Sequence, residues 1–280
     1  MPTGEARSPE IRELFRLDGR IAVVTGALGK LGPVWMRALL GAGADVVGLD
    51  LPGTTVPETV QQLSSEFGPG KLVLLEGDVR RRQSLEAALS TCQARLGSPS
   101  ILVNNAGIDV PPVAGSTGHT TQGMPIETWR PVLEVNLLGA FQASQVFGGP
   151  MLEGRRGSIV NIGSLYASVS PDQRFYDHIP QEPPFLKPPA YGASKAALVN
   201  LTGYLATLWA ERGVRVNALS PGGVLGDQDP EFRRKFVDRV PMRRMAEPAD
   251  LIGPLLFLVS EASRYVTGIE LRVDGGFTAW

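Results

Sequence analysis

From Arg20 onward, short apolar runs alternate with longer segments whose apolar residues recur at a helical period. That alternation is the pattern of βαβ units building a parallel sheet. The runs read as strands are 20–25, 45–49, 72–75, 101–103, 158–162, 214–219 and 269–273. Helices are expected to start near Lys30, Pro57, Arg81, Glu127, Ala190 and Pro248. Pro33 is compatible with the first of these, because an N-terminal helical turn has no use for the missing N–H. No Ser/Gly linker, composition shift or fixed-period repeat divides the chain, so a polar tail (1–18) and one domain (19–280) are expected. Two irregular stretches interrupt the pattern, 108–126 and the proline- and aromatic-rich 166–189. Loops of that length in a compact domain usually serve function.

Composition narrows the classes. The chain has 280 residues, 43% apolar and 20% charged, close to globular averages. A formal net charge of −1 supplies no broad basic surface for nucleic acid. Cys92 cannot form an internal disulfide, and its setting among Leu85, Leu89 and Leu96 reads as a buried small hydrophobe. His119 and His178 lack the companion spacing of a zinc site, so no metal is expected. No run approaches the ~18 apolar residues of a membrane span, and the charged first residues do not read as a signal peptide. A cytoplasmic location is the resulting expectation.

Directly after the first strand comes Thr25-Gly26-Ala27-Leu28-Gly29-Lys30-Leu31-Gly32. Glycines there permit a tight turn and let backbone N–H groups approach a pyrophosphate at a positive helix N-terminus. The second strand ends at Asp50, where a carboxylate can accept hydrogen bonds from adenosine ribose hydroxyls. Asp50 also repels a 2′-phosphate, and neither Leu51 nor Pro52 offers an arginine to hold one. NAD is therefore expected over NADP, with Lys30 as the counter-argument, since its cation could reach either phosphate. The fold class expected is α/β, a single-domain Rossmann fold with a seven-stranded parallel sheet and helices on both faces.

Further motifs follow in order: Asn104-Asn105-Ala106-Gly107 after the fourth strand, Ser164 after the fifth, then Tyr191-Gly192-Ala193-Ser194-Lys195, and Pro221-Gly222 after the sixth. The set resembles the short-chain dehydrogenase/reductase family, and the likeness runs from about Arg20 to Trp280. Independently of it, Tyr191 and Lys195 are one helical turn apart on one face. An ammonium near a phenol is expected to lower the tyrosine pKa, so that Tyr191 can take a substrate hydroxyl proton or return it. The resemblance implies that Ser164 holds the reacting oxygen and that Asn136 helps position water behind Lys195. It also implies cofactor contacts from Gly26, Gly29, Lys30, Leu31 and Gly32 in the glycine loop, Asp78 and Val79 beside the adenine, and Asn105, Ala106 and Gly107 along the adenosine side. Pro221, Gly222 and Val224 would meet the nicotinamide end, with Lys195 also holding ribose hydroxyls. A homotetramer is implied as well.

Two positions depart from the family pattern T-G-x-x-x-G-x-G and its following motifs. Lys30 replaces the middle glycine, with Gly29 before it, which predicts a different loop path. Gly163 stands where serine is common before Ser164, which predicts a wider site. The 166–189 stretch lies between Ser164 and Tyr191 and is rich in polar side chains. It reads as a substrate lid, with Arg174 expected to grip a carboxylate in a two-pronged contact. The function read from these residues is NAD(H)-dependent interconversion of a secondary alcohol and a ketone on a polyol, sugar or sugar acid. Two alternatives stay open: an NADPH-dependent reductase of a lipophilic ketone or 3-oxoacyl thioester, and a non-catalytic cofactor-binding protein.

Overall fold

The computed structural model describes residues 10–110 and 119–280; residues 1–9 and 111–118, within the expected tail and the 108–126 loop, lie outside the described residues. All five residues of β1 (Ile21–Thr25) are buried, as are all six of β5 (Gly157–Ile162), so these strands are covered on both faces. With β2 (Asp45–Asp50), β3 (Leu72–Glu76), β4 (Ile101–Asn104), β6 (Val214–Pro221) and β7 (Glu270–Val273) they form a seven-stranded parallel sheet in the order β3-β2-β1-β4-β5-β6-β7. The chain reverses direction across the sheet between β1 and β4. At such a switch point the loops leaving the two strands diverge and open a crevice at their carboxyl ends.

Each face of the sheet has its own apolar core. On one side Trp35, Met36 and Leu39 of α1 (Gly32–Gly41), Val60 and Leu63 of α2 (Glu58–Phe67) and Leu251 pack on the strands. On the other lie Leu85 and Cys92 of α3 (Arg82–Arg95) and, beyond it, Phe147 and Met151. Full burial of a side chain such as Leu39 or Phe147 contributes about 1.5–3 kcal/mol. Cys92 is fully buried as expected, and burial pushes its thiol up to about 11.

The helix expected from Glu127 is interrupted. A 3₁₀ turn (Ile126–Thr128) leads into α4 (Arg130–Leu133), then a π-helical turn (Glu134–Gly139), and only then α5 (Ala140–Glu153). Beyond β5, α6 (Pro189–Trp209) follows the expected span closely. A helix the apolar period did not reveal, α7 (Pro230–Arg239), precedes α8 (Ile252–Val259). Only Phe236 of α7 is buried, too little for a periodic signal, although Asp229-Pro230 is a good start sequence. Asp229 does cap it, accepting from Phe232 N at 2.8 Å. The expected tail is also shorter at its inner end: Leu17 is buried in the core and donates its N–H to Ala42 O at 2.8 Å.

The 166–189 stretch is not a bare loop. Phe175 and Tyr176, in a 3₁₀ turn (Gln173–Tyr176), join Leu165, Phe236 and Phe277 in a third apolar cluster. Phe175 meets Phe236 and Phe277 with ring centroids 5.6 and 6.4 Å apart. The segment is therefore held by α7 and the chain's last residues. Among the described residues no helix is long and apolar enough to cross a membrane.

Candidate active site

A cavity of about 1140 Å³ opens at the carboxyl ends of the strands, over the switch point. The glycine loop, Asp50 and the turn after β4 line one end; Ser164, Tyr191, Lys195 and the turn after β6 line the other. Every cofactor residue expected from the sequence except Gly32 lies on its wall. Gly32 acts from behind, since a Cβ there would sit 2.1 Å from Ala27 O.

The glycine loop shows why its altered spacing is tolerated. Gly26 has φ +62°, and a Cβ on it would lie 2.7 Å from Ala106 Cα, so this position needs glycine. Lys30 is not among the positive-φ residues. The requirement for glycine thus falls on positions 26 and 32, and Lys30 adopts its place in the loop without the left-handed backbone that would need glycine. The Lys30 amino group lies against the loop after β6, where a Cβ on Gly226 would come within 2.1 Å of it. Asn105 staples this loop to the next: its amide donates to Thr25 O at 3.0 Å and Gly26 O at 2.8 Å, and its oxygen accepts from Trp35 Nε1 at 2.8 Å. Asp50 accepts from Leu28 N at 2.7 Å and Leu51 N at 2.8 Å, which holds its carboxylate at the rim. Asp78 is gripped by Arg80 at 2.7 Å, which keeps its carboxyl below the usual range.

At the other end, Ser164 caps the turn that follows β5, accepting from Tyr166 N at 3.2 Å, and it stands close enough to the Tyr191 phenol to act on its pKa. Lys195 is buried, donates to Ile162 O at 2.7 Å, and lies 5.6 Å from the centre of the Tyr191 ring. The expected lowering of the tyrosine pKa is not what the structure shows. Burial, followed by the negative charge of Asp109, pushes Tyr191 up to about 12, while Ser164 opposes the rise. Burial likewise takes Lys195 down to about 8. The cation lies beside the ring rather than on its hydroxyl, so desolvation outweighs it.

The π turn delivers Asn136 to this end of the cleft, and such bulges recur at functional sites. Its oxygen accepts from Ile108 N at 2.8 Å, and its amide donates to Ile108 O and Ser194 Oγ, both at 3.0 Å. Ser194 in turn donates to Tyr191 O at 2.7 Å, a positioning contact not foreseen from the sequence although Ser194 lies inside the quoted motif. Gly107 packs beside both groups: a Cβ on it would lie 3.4 Å from Asn136 Oδ1 and 3.5 Å from Lys195 Nζ.

Two expectations are corrected. Gly163 does not widen the site: a Cβ there would meet Ser220 Oγ at 2.2 Å, so Ser220 fills the space. Arg174 does not face the cleft; its exposed guanidinium forks onto Asp172 at 2.7 and 2.9 Å, and Asp172 also holds Arg239 at 3.0 Å. Burial of Phe175 beside it turns Arg174 to the outer side of the turn. The cation of this segment that does line the cleft is Lys187, paired with Asp109.

A family model described as Enoyl-(Acyl carrier protein) reductase matches residues 31–278. Galactitol 2-dehydrogenase (L-tagatose-forming) of Cereibacter sphaeroides is 37% identical over 277 residues, covering 97% of this chain and all of that one. A gluconate 5-dehydrogenase from Burkholderia cenocepacia J2315, solved in complex with NADP and tartrate, superposes with a TM-score of 0.83 at 29% identity, covering 97% of this chain and 100% of that one. A short-chain dehydrogenase from Leptospira borgpetersenii with bound NAD+ gives a TM-score of 0.80 at 30% identity, covering 96% of each chain. Likeness of that extent, over a cleft built in this way, makes the chain a member of the short-chain dehydrogenase/reductase family.

Proposed function

We propose that the protein is an NAD(H)-dependent dehydrogenase that interconverts a secondary alcohol and a ketone on a polyol, sugar or sugar acid. The observation that carries this reading is one cavity with a dinucleotide cradle at one end and Ser164, Tyr191 and Lys195 at the other. The cradle fits the group: Gly26 and Gly32 let the glycine loop pack tightly against Ala106 and Ala27, and that loop, Asp50 and Asp78 line one end of the cavity at the start of α1. When bound, the nicotinamide supplies the hydride acceptor or donor.

The chain's own residues do the rest. Ser164 hydrogen-bonds the reacting oxygen and holds it against Tyr191, which takes the hydroxyl proton in oxidation and returns it in reduction. Lys195 places positive charge under that step, and Asn136 keeps the Ile108 backbone and Ser194 in register around it. The names of the relatives, a galactitol 2-dehydrogenase and a gluconate 5-dehydrogenase, support the substrate class. A second reading, reduction of a lipophilic ketone with NADPH, draws on Phe232 and Phe236 in the cleft wall. Initial rates on a panel of polyols, aldonates and lipophilic ketones, each with NAD and NADP, separate the two. Polyol or aldonate turnover with NAD is expected, and turnover of lipophilic ketones alone would overturn the reading.

Preference for NAD rests on Asp50 and on the direction of Lys30, which extends toward the β6 side of the sheet while β2 and Asp50 lie on the other side of β1. Asp50→Ala is expected to weaken NAD by about tenfold, the worth of a charged hydrogen bond, and to narrow the gap with NADP. Wild-type preference for NADP in kcat/KM would refute this reading.

The assembly proposed is a homotetramer. Leu138, Tyr204 and Leu208 are more than half exposed around α5 and α6, and Tyr265 and Ile269 before β7 and Trp280 after it are exposed as well. Apolar side chains exposed on these helices suit burial in the two-fold contacts of a symmetric assembly. Sedimentation equilibrium is expected to give four times the chain mass, and a monomer at micromolar concentration would reject the proposal.

A further inference from the structure

Asp109 and Lys187 come from the two irregular stretches that flank the substrate end, 78 positions apart in the chain, and meet in an ion pair. Lys187 is 5% exposed, and its ammonium lies 5.6 Å from the centre of the Tyr191 ring, matching Lys195 at the same distance. Its backbone N–H donates to Gln173 Oε1 at 2.9 Å, which ties the pair to the buried aromatic turn. Asp109, by contrast, keeps a partly open carboxylate, its side chain 38% exposed. Both line the cavity beside Ser164 and Tyr191.

The charge balance at this end is unusual for a site that would receive an anion. Lys187 is already compensated by Asp109, and Asp227 and Asp229 add further negative charge to the same wall. Most other cations of the lid and α7 are also held by acids, Arg174 and Arg239 by Asp172, Lys235 by Asp177 and Arg234 by Glu231, while Arg233 donates to Gly226 O. His178 Nε2 is 2.8 Å from Asp229. Among the described residues, the cavity-lining cations without an acidic ion-pair partner are Lys195, which is committed to Ile162 O beneath the tyrosine, and Lys30, which belongs to the glycine loop and reaches Gly226 after β6. A substrate carboxylate would have to settle beside Asp109 or displace it from a buried lysine, and like charges at such range oppose binding. A hydroxyl is both donor and acceptor, so one hydroxyl of a diol can donate to Asp109 while its neighbour accepts from Lys187.

We infer that the Asp109–Lys187 pair is the specificity element of the substrate end: it binds adjacent hydroxyls of a neutral polyol and turns away the carboxylate of a sugar acid. This rests on the sugar-type dehydrogenase reading above. Specificity here comes from a repulsive element as much as from an attractive one. Asn at position 109 keeps the shape but removes the charge, leaving Lys187 to seek an anion from the substrate.

The test compares kcat and KM for a hexitol and for the aldonate of the same carbon chain in wild type, Asp109→Asn and Lys187→Met, with the aldonate's inhibition constant against hexitol oxidation as a second readout. Wild type is expected to favour the hexitol by about 10²-fold or more in kcat/KM, because like-charge juxtaposition in a binding site suppresses the wrong partner. In Asp109→Asn that gap is expected to shrink at least about tenfold, through a lower KM and inhibition constant for the aldonate rather than through kcat. Lys187→Met is expected to raise the hexitol KM without improving the aldonate. Wild type that uses both substrates alike, or an Asp109→Asn ratio equal to wild type, overturns the inference. Should Asp109→Asn fail to bind NAD, and so fail to fold, an unchanged hexitol KM in Lys187→Met overturns it instead. A wild type that turns over neither substrate but reduces lipophilic ketones defeats the underlying function, whereas aldonate preference defeats only this inference.

Discussion

Tyr191→Phe is expected to lower kcat by about 10²–10⁴-fold, the range for loss of a general acid–base group, with NAD affinity unchanged. The ring keeps its contacts with Lys187 and Lys195, both 5.6 Å from its centre, so the phenylalanine packs where the tyrosine did. Only the hydroxyl beside Ser164 is lost. Because burial holds the Tyr191 phenol protonated, with a pKa pushed up to about 12, the acid form dominates at neutral pH. Wild-type alcohol oxidation, which needs the proton acceptor, should therefore accelerate as pH rises above neutral, while ketone reduction should not. The variant should show neither trend. Isothermal titration with NAD and initial rates in both directions check this, and residual activity near wild type would remove Tyr191 from the chemistry.

Lys195→Met is expected to lower kcat/KM by about 10²-fold or more, since a buried, preorganised charge acts on the developing negative oxygen. It should also weaken NAD, unlike Tyr191→Phe, because the family resemblance implies that the ammonium holds ribose hydroxyls as well. Stability provides an independent readout. Burial lowers the Lys195 pKa from 10.5 to about 8, so between those values the unfolded chain binds more protons than the folded one. In that window the lysine's contribution to wild-type stability rises with pH, and below about 8 its buried charge is a steady cost. Methionine removes the titration. The difference in Tm between wild type and Lys195→Met should thus move in favour of wild type as pH rises from 8 to 10.5. A difference independent of pH would mean that Lys195 titrates normally in the fold.

The strands and most helices were legible in the chain itself because each is set by neighbours a few positions away: the apolar runs of β1 and β5, and Pro33 at the start of α1. The motif residues were legible for a related reason. A turn that must lack a Cβ, as at Gly26, or a Tyr and Lys one helical turn apart, leaves a local signature. The π turn that carries Asn136 and the sparsely apolar α7 left none strong enough to read by period.

What only the tertiary structure decided concerns burial and charge between distant segments. Arg174 and Lys187 are equally cationic on paper, yet the packing of Phe175 leaves one outside on Asp172 and carries the other into the cleft. Ser220 fills the gap at Gly163 from a strand that is neighbour only through the sheet. The direction of the Tyr191 shift was misread for the same reason. Spacing brings Lys195 near, but the desolvation that outweighs it, and the Asp109 charge that adds to it, come from residues gathered by the fold. Local geometry is determined within a few residues of sequence. The electrostatics of a buried site depend on every chain segment that excludes water from it, and those segments meet only once the sheet and its loops have closed.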